Sequence, residues 1–315
     1  MSELKEIIAK ANNIMVAGHV RPDGDCVGSC VAMWHYIHRN FPEKSVEVYL
    51  ETLPERFEFL DPEQSIFSTQ VPAKTYDLFM VVESSSSDRI GDAEPIFRKA
   101  KQTVCIDHHI SNQNYADTNF VMPGVCATCE VLYELIGEDA LMPEIATALY
   151  VGIICDSGVF RYSSTSARTM EIAGKLMQTG IPFPKLIDRC VSERTYTQTR
   201  LLGETLLNSS LVLDGKCIVA VVSRQMMESH AALTEDIEGI VEQLRVVRGT
   251  EAAVLLHEID EEKYKVSLRA GGKIDLSQIA VFFGGGGHKN AAGCTLTGSA
   301  QDVISRVTEQ IEAQM

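Results

Sequence analysis

The stretch NIMVAGHVRPDGD, residues 13–25, decides how this chain folds. Residues 13–18 form an apolar run of buried-strand length, and the polar turn after them leads into a helical stretch over 27–38. That is a strand, loop and helix unit. Apolar runs at 46–50, 78–82 and 104–106 follow, separated by helical or irregular segments. The pattern predicts a parallel sheet with helices on both faces.

Open sheets of this kind bind ligands beyond the carboxyl ends of their strands. His19 follows the first run, Glu83 the third and Asp107 the fourth, so three polar groups fall at one edge. The phrases GHVRPDGD, VVES, CIDHH and IICDSG together carry His19, Asp23, Asp25, Glu83, Asp107, His108, His109 and Asp156. Residues 143–155 read as a buried helix with Pro143 at its start, ending so as to present Asp156. Imidazole and carboxylate together suit Mn²⁺, Mg²⁺ or Zn²⁺. The ligand groups suffice for two ions about 3.5–4 Å apart, where a lone zinc would need only three or four of them. The expectation is a binuclear hydrolytic centre in which one carboxylate bridges.

At 315 residues the chain is long enough for two cores. Its formal net charge of −15 argues against gripping long nucleic acid, which takes many Lys and Arg contacts to phosphate. A small anionic substrate stays allowed, provided that cations, Arg, His or backbone N–H groups meet its phosphates. The N-terminal residues lack the basic start and apolar core of a signal peptide, and no apolar run reaches membrane-spanning length. A cytoplasmic protein without membrane contact is expected, with its nine scattered cysteines reduced. Cys126 and Cys129 make a lone C-x-x-C that reads as a helix start, since no second pair follows at zinc-ribbon spacing.

A hinge-like stretch over 181–202 separates this half from a second pattern. Strands are expected at 209–213, 217–222, 252–257 and 264–268, with helices near 236–246 and 300–313. The predicted organisation is a metal-binding domain over 1–190, a linker over 191–205 and a smaller mixed α/β domain over 206–315. The second specific signal is FFGGGGHKNAAG, residues 282–293. Its glycines can expose N–H groups to phosphate oxygens, and His288 and Arg269 supply partners for the same anion.

Taken in order, these phrases resemble the DHH phosphoesterase superfamily with its DHHA1 domain, in the NrnA-like branch of nanoRNases and 3′-phosphoadenosine 5′-phosphate (pAp) phosphatases. The resemblance covers nearly the whole chain. It rests on GHVRPDGDCVGS, the triplet Asp107-His108-His109, DSGVFRYSST and the C-terminal GGGGH. The resemblance implies that His19, Asp23 and Glu83 bind one divalent cation and that Asp25, Glu83, His108 and Asp156 bind the other, with Mn²⁺ first and Mg²⁺ as an alternative. It implies that His109 faces the substrate phosphate and that Asp107 orients a neighbouring histidine. Arg269, Gly285, Gly286, Gly287 and His288 would then hold the substrate's far phosphate. The implied activity is removal of mononucleotides from short single-stranded RNA, or of the 3′-phosphate of pAp, by hydroxide attack at the two-metal centre. The family's members often pair, which leaves a homodimer open.

One departure stands out. The family has Asp in a D-x-x-x-x-x-R pattern where this chain has Glu83 six residues before Arg89. The added methylene moves the carboxylate by about a bond length, against a positional tolerance near ~0.5 Å. Two rivals follow: a phosphodiesterase for linear or cyclic dinucleotides such as pApA, pGpG or cyclic di-AMP, and a nucleotide-binding regulator that has lost turnover through Glu83.

Overall fold

Strands buried on both faces of a parallel sheet need near-continuous apolar sequence rather than alternation, and Leu78–Val82, wholly buried, is such a run. The computed structural model describes residues 3–71 and 74–315. Met1 and Ser2, part of the N-terminal stretch searched for a leader, lie outside them. The chain divides into two units, 1–193 and 194–315.

The first unit runs α1 (Glu3–Lys10), β1 (Asn13–Ala17), α2 (Gly24–Asn40), β2 (Ser45–Tyr49), β3 (Phe67–Ser68), β4 (Leu78–Val82), α3 (Glu94–Phe97), β5 (Gln102–Asp107) and β6 (Thr118–Val121). Then come α4 (Thr128–Ile136), α5 (Pro143–Asp156), α6 (Ala167–Gln178) and α7 (Phe183–Ile187). The sheet order is β3-β2-β1-β4-β5-β6, with every pair parallel. The chain moves outward from β1 in one direction and from β4 in the other, so a topological switch point lies between these two strands.

Helices cover both faces, but unequally. One face packs Ile14, Val16, Met80, Val104 and Ile106 against α1, α2, α4 and α5. The opposite face packs Met15, Phe79 and Val81 against Ile90, Ala93 and Phe97, which belong to the 3₁₀ segment Ser87–Ala93 and short α3. No described helix is long and apolar enough to cross a membrane, and the nine cysteines are free thiols.

The second unit begins in the segment expected to be a linker. Residues Tyr196–Leu207 form α8, capped where Thr195 and Gln198 exchange side-chain and backbone hydrogen bonds. Only Leu201 and Thr205 of this helix are buried, so its composition concealed a helix that one apolar anchor and a good cap hold in place. After it come β7 (Ser210–Val212), β8 (Cys217–Val222), α9 (Arg224–Ser229), α10 (Ile240–Arg245), β9 (Ala252–Asp260) and β10 (Lys263–Ala270). The unit closes with α11 (Leu276–Phe282), β11 (Gly286–His288), β12 (Ala291–Thr297) and α12 (Ala300–Glu312). Its sheet, β11-β12-β10-β9-β8-β7, is antiparallel except between β8 and β9. Helices α11 and α12 pack on one face and α8 and α10 on the other.

Candidate metal centre

The site assembles at the carboxyl edge of the first sheet because β1, β4 and β5 each lead into a polar phrase there. His19 lies two residues past β1, and its Nδ1 pairs with Val20 O at 2.8 Å. Asp23 caps α2, where Oδ1 accepts from the N–H groups of Asp25 and Cys26 at 3.1 and 3.0 Å. Its other oxygen lies 3.8 Å from His19 Nε2. Asp25, in the first turn of the same helix, is wholly buried. There it accepts from the N–H groups of Thr128 and Cys129 at the start of α4, at 2.5 and 2.9 Å. The N-terminus of α2 thus holds the Asp23 carboxylate and that of α4 the Asp25 carboxylate.

Glu83 follows β4 directly and adopts φ +57°, a left-handed conformation uncommon for a residue with a side chain. Its Oε1 lies 3.5 Å from both His108 Nε2 and His109 Nδ1. His108 Nε2 is also 3.3 Å from Asp156 Oδ2, carried at the end of α5, while its Nδ1 meets Val125 O at 3.2 Å. Asp107, wholly buried, holds His109 Nδ1 at 2.8 Å and accepts from Asn112 Nδ2 at 2.6 Å.

Ligand atoms of Asp25, Glu83, His108 and Asp156 all lie within 4.8 Å of one another, as do those of Glu83, His108 and His109. The His19 and Asp23 pair stands outside both groups. The acids crowd each other. Burial and the Glu83 charge push the Asp25 carboxyl up to about 7. Burial and the charges of Asp25, Asp23 and Glu83 push Asp156 up to about 9, and its place at a helix C-terminus adds to the penalty. His108 is driven up to about 10, because its bond to Glu83 and the charges of Asp25, Glu83 and Asp156 together outweigh its burial. Clustered carboxylates and imidazoles that cannot all reach their ligating forms together lack positive charge, which divalent cations supply. The donor set therefore fits a divalent metal ion.

The second unit treats its predicted groups differently. Arg269 is engaged by Glu242, with Nε and Nη2 each 2.8 Å from Oε1, and donates from Nη1 to its own neighbour Leu268 O at 3.0 Å. His288 is exposed at the end of β11. Two glycines of the run have a packing reason. A Cβ on Gly285 would stand 2.2 Å from Gly293 O, and one on Gly287, where φ is +144°, 2.4 Å from Ala292 Cα. Gly286 faces open space.

Residues overlooked in the sequence are those that hold the site in place. Asn112, Val125 and Thr128 each touch a predicted site residue, and only Thr128 carried a visible cue, as a hydroxyl residue at a helix start.

Residues 13–153 match the DHH family, N-terminal domain, and residues 214–315 match the DHHA1 domain. The chain is 30% identical over 307 residues to the bifunctional oligoribonuclease and PAP phosphatase NrnA of Thermus thermophilus, covering 96% of this chain and 90% of that protein. It is 27% identical over 329 residues to the protein of the same name from Mycoplasma genitalium, covering 99% and 98%. The crystal structure of an exopolyphosphatase-related protein from Bacteroides fragilis shares the fold, with a TM-score of 0.88 at 22% identity over 98% of this chain and 94% of that one. This chain belongs to the DHH/DHHA1 phosphoesterase superfamily, in its NrnA-like branch. It is accordingly a hydrolase of phosphate esters.

Proposed function

We propose that the protein is a Mn²⁺-dependent phosphoesterase that shortens RNA oligonucleotides of a few residues to nucleoside 5′-monophosphates and removes the 3′-phosphate of pAp. The observation that carries this reading is the convergence of Asp25, Glu83, His108 and Asp156 within 4.8 Å at the switch-point edge of a parallel sheet. The names of the Thermus and Mycoplasma relatives supply the substrates.

Asp25, Glu83, His108 and Asp156 would hold one cation, and His19, Asp23 and Glu83 the other. When bound, such a pair activates water as a nucleophile and neutralises charge developing on the phosphoryl oxygens. The protein's own groups do the rest. Asp107 fixes Nδ1 of His109, so that Nε2 is presented to a phosphoryl oxygen. Burial of Asp25 and Glu83 keeps competing water from the carboxylates. On the second unit, Arg269, His288 and the N–H groups of Gly285, Gly286 and Gly287 would bind a nucleotide phosphate, Arg269 exchanging Glu242 for it.

The test is hydrolysis of pAp, di- to pentaribonucleotides, pApA, pGpG and cyclic di-AMP by the purified chain with Mn²⁺, with Mg²⁺ and with chelator. Mn²⁺-dependent release of AMP from pAp and of mononucleotides from short RNA is the expected result. Turnover confined to the dinucleotides overturns the substrate assignment. Nucleotide binding without turnover anywhere in the panel overturns the enzymatic one in favour of a regulator.

A further inference from the structure

Thr128 is wholly buried and joins two carboxylates that come from distant parts of the sequence. Its N–H donates to Asp25 Oδ2 at 2.5 Å, and its hydroxyl donates to Glu83 Oε2 at 3.1 Å. The residues around it serve the same centre. Val125 O meets His108 Nδ1, and Cys129 N–H donates to the second oxygen of Asp25. Glu130, itself buried, pins this turn by accepting from Cys126 N–H at 3.0 Å and from the Thr169 hydroxyl at 3.2 and 3.3 Å.

We infer that Thr128 is the positioning residue that orients the Glu83 carboxylate, which is one methylene longer than the Asp that the family resemblance implies. Glu has one more rotatable bond than Asp, and its terminal torsion is broad, so an unanchored Glu83 would present its oxygens in many orientations. The Thr128 hydroxyl removes that freedom by holding Oε2, which turns Oε1 toward His108 and His109 at 3.5 Å each. A hydroxyl residue at the start of α4 is suited to the task, because the backbone N–H of the same residue is already held by Asp25, which leaves the side chain to reach Glu83. An Asp at 83 ends a methylene earlier and would draw back from the hydroxyl, so the Thr128 contact belongs to the Glu form of the site.

This inference rests on the metal reading proposed above, and one experiment separates the two. Mn²⁺ affinity is measured by titration calorimetry on the full chain for Thr128→Val and Thr128→Ser, each in the Glu83 and the Glu83→Asp backgrounds, with melting curves to verify folding. Loss of an outer hydrogen bond of this type weakens metal binding about 10–100-fold, which is expected for Thr128→Val with Glu83 in place. Thr128→Ser retains the hydroxyl and should bind within about threefold of wild type; with Glu83→Asp present, Thr128→Val should cost less than about threefold, the signature of a coupled pair. Equal losses from Thr128→Val in both backgrounds would mark a general packing role and overturn the inference, as would wild-type affinity in Thr128→Val. Should the valine variant not fold, a tenfold loss in Thr128→Ser overturns it independently. A wild-type chain that binds no Mn²⁺ overturns the metal reading itself.

Discussion

Two glycine-to-alanine substitutions in the first unit should shift stability in opposite directions, and the structure says why. Gly152 lies on α5 where it meets the start of α4 and the Asp25 carboxylate. A Cβ there would stand 2.3 Å from Cys129 Sγ and 2.5 Å from Asp25 Oδ1. Both neighbours are wholly buried and bonded to each other, Cys129 N–H donating to that same oxygen at 2.9 Å. Neither can yield alone. Each must move by roughly 1 Å to reach an ordinary contact, and overpacking of this kind costs about 1–3 kcal/mol. Gly174, inside α6, has nothing within 4 Å of its would-be Cβ. There alanine relieves the helix of glycine's conformational freedom and should stabilise by up to ~1 kcal/mol. At about 2–4 °C per kcal/mol for a unit of this size, Gly152→Ala should melt roughly 5 °C lower and Gly174→Ala roughly 3 °C higher. Melting followed by circular dichroism, with and without Mn²⁺, measures both. Gly152→Ala should also lose part of the Mn²⁺ stabilisation through displacement of Asp25, whereas Gly174→Ala should keep it all. The reasoning is refuted if Gly152→Ala melts within 1 °C of wild type, or roughly so, and retains the full Mn²⁺ effect.

Other expectations concern charge. Asp25→Asn should abolish Mn²⁺-dependent hydrolysis and lower stability by about 1–3 kcal/mol, since the amide can accept from only one of the two buried N–H groups that Asp25 holds; hydrolysis near the wild-type rate would refute its role. In chelator, the melting temperature should fall as pH rises from 5.5 to 8. Asp25, raised by burial and Glu83 to about 7, and Asp156, raised by burial and neighbouring acids to about 9, contribute stability that is full below about 4 and lost through those values. His108, raised to about 10 by its acids against burial, acts in the same direction above about 6.5. Asp107 is held low by His109 and Asn112 despite its burial, so its contribution is lost only in acid. Mn²⁺ binding displaces those protons, so its stabilisation should widen with pH; a gap that narrows would contradict the assignment. Arg269→Ala should raise KM for pAp with little change in kcat, because the proposed contact is to a non-reacting phosphate. An unchanged KM would detach it from recognition.

Much of this is legible in the sequence. Runs such as Leu78–Val82 have the length of buried strands, and in a parallel sheet the polar residues directly after them come to one edge. The family and its ligand types followed from short phrases whose residues are neighbours in sequence. The helix over Tyr196–Leu207 was not legible, because a single buried leucine and a capping pair replace the apolar stripe that marks a helix. Nor was the partnership of Arg269 with Glu242, since ion pairs between distant residues leave no local trace.

The kind of chemistry was therefore set by local sequence: imidazoles and carboxylates placed at strand and helix ends. Which oxygen each acid turns inward was decided by tertiary structure alone. Thr128 reaches both Asp25 and Glu83, and Val125 reaches His108, only after α4 has packed beside α2 and β5. A side chain's identity is written at its own position, whereas its orientation depends on hydrogen-bond partners that folding brings from as far as 104 residues away.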